Sequence, residues 1–412
     1  MKKTMIYLSS CAVSAEGKVD PFMMMERPWL MEHFESVRVV SFYGVKTMQA
    51  KDGETFSPFR PGLAALRAWL TAVFSRDLRK ELARLFRDHR ATPTNVLKLM
   101  MFTQRGLKMH YWTEWLLRGC DDRRVTLYAC WMSFDGYAAA LSKRKHPKAR
   151  FVVRGHAFDV DEERNPMNPY LMKQAIADAA DGIYPISEIT RSQYMAYMRG
   201  HVAELKVRVL AMGSGGAPMA ACKEPPRFSQ NVLRVVSCSQ LIDIKQVPLI
   251  VEALAGWTGC SLCWTHIGGG EGEAALRKLA AQKLDAKENV IYDITGKKSA
   301  DEVRKYYEDR AFDVFVNVSR KEGVPVSIME AMRCGVPAIA PAVGGIPELV
   351  TPGTGILYAP ERGADGLREA LEQLCSMSLA QTREMRENAK LRWERSCASR
   401  ALLPKLFPEA KG

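Results

Sequence analysis

Long apolar runs are missing from this chain of 412 residues, since none approaches the roughly 18–20 needed to cross a bilayer. No export signal is expected either. Lys2-Lys3 precede Met5-Ile6-Tyr7-Leu8, but that run stops at Ser9-Ser10, well short of the roughly 7–15 apolar residues a signal requires. A first buried strand and a cytoplasmic chain are the expectation. Metal-ligand spacing is also lacking. The only close pair among ten cysteines is Cys260-Ser-Leu-Cys263, and no second pair or histidine cluster accompanies it. Reduced structural thiols and no metal are expected, which suits a reducing compartment. There is no internal repeat and no low-complexity tract. With 47% hydrophobic and 25% charged residues, the composition excludes a mostly disordered chain.

The excess of basic over acidic residues lies almost entirely in one half. Residues 1–210 hold 33 Lys and Arg against 22 Asp and Glu, whereas residues 211–412 hold 26 against 24. The net charge of +13 therefore sits mainly in the first half, and most of it in residues 60–124, with 14 basic and 6 acidic side chains.

What is present is alternation. Apolar runs at 4–8, 37–42, 125–130, 151–153 and 181–186 read as strands. Helical patterns cover 21–34, 61–89, 95–118 and 171–180. Along 61–89, Leu63, Leu66, Leu70, Val73 and Phe74 fall at helical spacing. The alternation restarts near 210, with strands at 233–238, 260–267, 290–292, 314–318 and 338–340. Helical patterns at 246–254, 272–284, 300–307 and 326–334 separate them. Such alternation implies α/β architecture with parallel sheets wound by right-handed crossovers. Two sets in tandem imply two Rossmann-like, doubly wound domains, 1–209 and 210–385, facing a cleft. The glycine-rich stretch 212–218 would be the hinge, and a helix in 386–412 would pack back on the first domain. Ligands in such sheets bind at the carboxyl ends of strands.

The chemistry concentrates in Val314-Phe-Val-Asn-Val-Ser-Arg-Lys-Glu322-Gly-Val-Pro-Val-Ser-Ile-Met-Glu330-Ala-Met-Arg-Cys-Gly335-Val-Pro337. A strand runs to Ser319, a loop carries Glu322, and a helix runs from about 326 to the capping Gly335. The free N–H groups of that helix start suit a diphosphate. Carboxylates on either side can grip paired hydroxyls of a sugar or a ribose. Spacing alone equally fits a solvated loop glutamate and a helix-surface glutamate.

This block, continued by Ala338-Ile-Ala-Pro-Ala-Val-Gly344-Gly345-Ile-Pro347-Glu348, resembles the retaining nucleotide-sugar glycosyltransferases of family 4. The likeness is to the bacterial capsular and surface-polysaccharide branch, of colanic-acid type. It extends to Trp264-Thr-His-Ile-Gly268-Gly-Gly270, Ser237-Cys-Ser-Gln240-Leu, Arg154-Gly-His156-Ala-Phe-Asp159 and Tyr184-Pro-Ile-Ser187-Glu188. The resemblance implies a GT-B fold whose second domain binds the donor. It implies Glu322 on hydroxyls of the transferred sugar, helped by backbone N–H groups of Gly323 and Val324. It puts Glu330 on the ribose, Lys245 on the diphosphate, and His156 toward the sugar. Gly268 and Gly270 would let backbone approach the donor, and Thr295 would border the base. No cofactor or metal is implied, and Asp159-Val-Asp161 only imitates a metal-binding pair. One departure stands out: the family's usual arginine is here Gln240, with Arg320 and Lys321 as candidate substitutes.

The implied reaction is retaining transfer of a sugar to a lipid-linked or polysaccharide acceptor in surface-polysaccharide synthesis, with a UDP-sugar the favoured donor and a GDP-sugar the alternative. A catalytically weak protein that binds nucleotide or membrane is one alternative, and a sugar epimerase of the same architecture is another. For the basic region 60–124, an anionic membrane surface on the inner face and an ordinary solvated face both fit. Phe102, Tyr111, Trp112 and Trp115 lie among its cations, but no nucleic-acid module is present and no nucleic-acid partner is expected.

Overall fold

A computed structural model describes residues 3–10, 21–42, 54–56, 61–198, 200–215 and 232–410. The hinge residues 216–218 expected from sequence lie outside them. The chain forms two compact units, one of residues 1–211 with 402–412 and one of residues 212–401.

The first unit is built on a sheet of six parallel strands: β1 (Thr4–Ser9), β2 (Ser36–Ser41), β3 (Glu54–Phe56), β4 (Val125–Ala129), β5 (Arg150–Gly155) and β6 (Gly182–Pro185). Their order is β3-β2-β1-β4-β5-β6. Met5 aligns with Val37 on one side and Thr126 on the other. Every residue of β4 is buried, as expected for a central strand covered on both faces. Leu402, Leu403, Leu406 and Phe407 sit in the same core as Val37, Val39 and Tyr128. The C-terminal region is two helices, Leu379–Ser396 and Ser399–Leu406, rather than one.

The helical pattern over 61–89 is also two helices, Pro61–Ala72 and Arg76–Arg87. Ser75 breaks it by taking extended backbone, where its hydroxyl accepts from the Leu78 N–H at 3.3 Å. The apolar row faces the opposite way from that expected of a core helix. Ala68 and Ala72 are fully buried, while Leu66, Trp69, Leu70, Val73 and Phe74 are 59%, 41%, 63%, 57% and 78% exposed. The helix Pro93–Leu116 follows, capped by Thr92. The helix Phe134–Lys145 left no readable apolar stripe because its buried face is mostly small: Gly136 and Ala138–Ala140.

The second unit repeats the plan. Its strands are β7 (Val232–Cys238), β8 (Ser261–Ile267), β9 (Val290–Ile294), β10 (Val314–Val316), β11 (Ala338–Pro341) and β12 (Gly355–Tyr358). All are parallel, in the order β12-β11-β10-β7-β8-β9. Strand order reverses between β1 and β4 in one sheet and between β7 and β10 in the other. Ligands of doubly wound sheets bind outside the carboxyl ends at such reversals. Trp257, Trp264 and Trp393 fill this core, and each indole N–H has a partner: Cys260 O, Ser237 Oγ and Ser214 Oγ. Among the described residues, no helix is long and apolar enough to cross a membrane.

Candidate donor-binding site

β10 ends at Val316, three residues earlier than the sequence suggested. The reason is local. The Asn317 side-chain oxygen accepts from the Ser319 N–H at 2.9 Å, turning the backbone out of the strand. The turn aims Ser319 Oγ at Glu322, where it donates to Oε1 at 2.8 Å. The Lys245 ammonium, on the loop after β7, donates to the same carboxylate oxygen. The two loops are joined again where the Arg320 N–H donates to Ile244 O at 2.9 Å. Strand pairing of β7 with β10 therefore brings Lys245 and Glu322 together across 77 residues. Both lie at the point where strand order reverses.

A small crevice there is lined by Ser237, Cys238, Ser239, Lys245, Asn317 and Ser319. Glu330 faces Cys238 from the helix Val326–Arg333. Burial raises the Glu330 carboxyl above its ordinary range, an effect that Arg333, one turn on, opposes. Among the described residues, no hydrogen bond or ion pair engages that carboxylate. Gly323 and Val324 lie between the two glutamates, and among the described residues their N–H groups have no backbone acceptor. The helix start has Pro325 at its cap and no side chain capping it. Two acceptor groups and a row of donors thus lie on the loop and helix start next to this narrow crevice.

Two further loops shape the site. Gly344, with φ of +54°, presses on the acidic loop so closely that a Cβ would lie 1.8 Å from Glu322 O. The Gly345 N–H donates to Gly323 O at 2.8 Å. On the other side, Gly268 has φ of +145°, and a Cβ there would lie 1.8 Å from Ser239 O. Gly270 packs likewise on Leu241, whose N–H donates to Gly269 O at 3.1 Å. The Gly268 N–H donates to Gly296 O at 3.1 Å, and the Thr295 N–H to His266 O at 2.9 Å. Gly268, Gly270 and Thr295 therefore sit in one cluster at the ends of β8 and β9.

The remaining sequence candidates fall differently. Gln240 is exposed beside this cluster and brings no charge. Arg320, the proposed stand-in, is exposed and held by Asp243 at 2.9 Å. Sequence alone does not single out Ser319, although its position three residues before Glu322 is the available signal.

His156 belongs to the first unit, at the end of β5, where its backbone N–H donates to Asp159 at 3.0 Å. Its Nε2 lies 3.0 Å from Cys130 O, so Nε2 carries the proton. The ring stacks on Trp131 at 4.0 Å. Burial first, and Arg154 second, push the imidazole down to about 3, so it is a neutral hydrogen-bonding group. Asp159 accepts from the Met132 and His156 N–H groups, and Asp161 from the Glu163 N–H. Among the described residues, no group of three or more His, Cys, Asp or Glu side chains could hold a metal ion.

Residues 223–392 match the family described as Glycosyl transferases group 1. The chain is 29% identical over 264 residues to the amylovoran biosynthesis glycosyltransferase AmsK of Erwinia amylovora, covering 58% of this chain and 59% of that protein. It is 29% identical over 237 residues to the putative colanic acid biosynthesis glycosyltransferase WcaL of Escherichia coli, covering 53% and 55%. The matched part is thus little more than half of these relatives' lengths. Among solved structures, the lipopolysaccharide outer core galactosyltransferase WaaB in its apo form aligns over 98% of this chain and 99% of that one. The TM-score is 0.67 at 17% identity. Anabaena HepE in complex with UDP aligns over 98% and 99%, with a TM-score of 0.61 at 15% identity. These likenesses establish the fold as that of GT-B glycosyltransferases.

Proposed function

Residues 223–392 being a group 1 glycosyltransferase domain, we propose that the chain transfers a sugar from a nucleotide-sugar to a lipid-linked or polysaccharide acceptor, with retention of anomeric configuration. The observation that carries this reading is the Lys245–Glu322 pair at the strand-order reversal, with Glu330 across the crevice. In it, Glu322 orients the sugar hydroxyls and Glu330 takes the ribose. The uncapped helix start and Lys245 face the diphosphate. Among the described residues around this crevice, we place no further carboxylate to serve as a nucleophile. A front-face reaction is the chemistry that suits it. The departing phosphate oxygen takes the acceptor's proton, and the barrier falls through positioning and electrostatics.

A UDP-sugar is the favoured donor, and a GDP-sugar the second choice. HepE was solved with UDP and UDP-glucose. Against this, a Corynebacterium glutamicum relative 35% identical over 120 residues is named a GDP-mannose-dependent mannosyltransferase. The exposed, uncharged Gln240 favours a weaker second reading: nucleotide binding with little turnover. Incubation with UDP- and GDP-sugars and a lipid-linked acceptor tests both. Transfer with the donor's anomeric configuration kept in the product, read by NMR, is expected. An inverted product, or an epimerised sugar without transfer, sinks the proposal. Binding without any turnover supports the second reading.

We propose further that the first unit, which would take the acceptor, presents a membrane-facing surface. The row Leu66, Trp69, Leu70, Val73 and Phe74 is exposed on a basic unit, flanked by Arg67, Arg76, Arg79 and Lys80. An apolar helix face rimmed by cations suits an anionic bilayer surface. Flotation with phosphatidylglycerol vesicles is expected to carry the protein, with phosphatidylcholine vesicles carrying far less. Leu70→Glu with Phe74→Glu is expected to lower the bound fraction at least tenfold. Equal flotation of that variant would remove this surface from any role in acceptor delivery.

A further inference from the structure

The close pair in the sequence, Cys260 and Cys263, is not the pair the fold assembles. Cys260 Sγ lies 4.0 Å from Cys375 Sγ, across 115 residues. Cys260 occupies the turn that feeds β8, and the Trp257 indole holds that turn by donating to Cys260 O at 2.8 Å. Cys375 lies in the last turn of the helix Gly363–Ser376. Both are thiols and both are partly exposed. A disulfide needs its sulfurs at about 2.0 Å, so the pair must close by about 2 Å from its present separation.

We propose that Cys260 and Cys375 are a dithiol that hydroperoxides convert to a reversible intramolecular disulfide. One thiolate attacks the outer peroxide oxygen. An S–O bond forms, the O–O bond breaks, and an alcohol or water leaves, giving a sulfenic acid. The second thiolate attacks that sulfur. The S–S bond forms, the S–O bond breaks, and hydroxide leaves as water. Two thiols lose two electrons and two protons, and the hydroperoxide is reduced. A dithiol reductant restores both thiols by exchange.

The other described thiols are poorer candidates. Burial pushes Cys238 and Cys397 up to about 12 and raises Cys120 and Cys263, which starves them of thiolate. Cys130 and Cys334 are buried. The crosslink would tie the start of β8 to the end of the covering helix, at the amino ends of the strands. The donor-site loops lie at the carboxyl ends, so the bond locks the second unit without entering its site. Closing so long a loop restricts the unfolded chain and so favours the folded one. The inference is independent of the reaction proposed above.

The test treats the full chain with hydrogen peroxide and maps its peptides without reduction. The expected result is a Cys260–Cys375 linked peptide, an intact mass lower by two hydrogens, and full reversal by dithiothreitol. The oxidised protein melts at a higher temperature, and Cys260→Ser and Cys375→Ser each abolish both the link and the shift. Overoxidation of separate thiols, or links joining other cysteines with none between Cys260 and Cys375, overturns the proposal.

Discussion

Replacing Glu322 by glutamine is expected to lower kcat/KM for the sugar donor by about a thousandfold while leaving the fold intact. The side chain accepts from Ser319 and Lys245 on one oxygen. Glutamine keeps the shape and one acceptor oxygen but loses the charge that pairs with the ammonium. Removing one preorganised electrostatic group from a reaction centre typically costs about 10²–10³ in rate. In the proposed arrangement, loss of a sugar-hydroxyl contact adds to that. Circular dichroism and urea midpoints check the fold, and steady-state kinetics check the rate. A variant within tenfold of the wild type would show that Glu322 is not at the sugar. Glu330→Ala is the useful contrast, because the ribose contact proposed for it would be made in ground and transition states alike. It is expected to raise KM more than it lowers kcat.

Alanine at Gly344 is expected to disrupt the same site from the backbone side. The glycine's φ of +54° costs an alanine about 1 kcal/mol. Steric overlap costs more. A Cβ 1.8 Å from Glu322 O cannot be accommodated unless the two loops part, and overpacking of this kind costs about 1–3 kcal/mol. A total of about 2–4 kcal/mol is expected as a fall in unfolding free energy. Donor affinity falls with it, because the displaced backbone carries Glu322 and the N–H groups of Gly323 and Val324. Gly268→Ala meets the same obstacle at Ser239 O. Unchanged urea midpoints and donor affinity in both variants would mean that these loops are not fixed as described.

Much of this was legible in one dimension. Strand and helix positions follow from short-range periodicity, so the parallel alternation from Thr4 to Pro341 was readable, and with it the doubly wound class. The block from Val314 to Pro337 was readable for the same reason, since a turn, a helix start and a glycine cap are local features. Elements with weak periodicity were not. The three-residue β3 and the alanine-lined helix Phe134–Lys145 carry too few large apolar residues to announce themselves.

The sequence alone determined the two α/β sheets, the uneven charge and the two glutamates on either side of a helix start. These depend on neighbours within a few residues, and they made the resemblance to glycosyltransferases readable. The tertiary structure decided which distant residues meet. It put Lys245 on Glu322 across 77 residues, and it aimed Ser319 at the same carboxylate. It paired Cys260 with Cys375 instead of Cys263. It turned Leu66, Leu70, Val73 and Phe74 outward, where periodicity showed only their helical spacing. It returned residues 402–412 to the first unit. The physical reason is the same throughout. Periodicity fixes which side chains share a face, but only the packing of chain segments far apart in sequence fixes what that face meets.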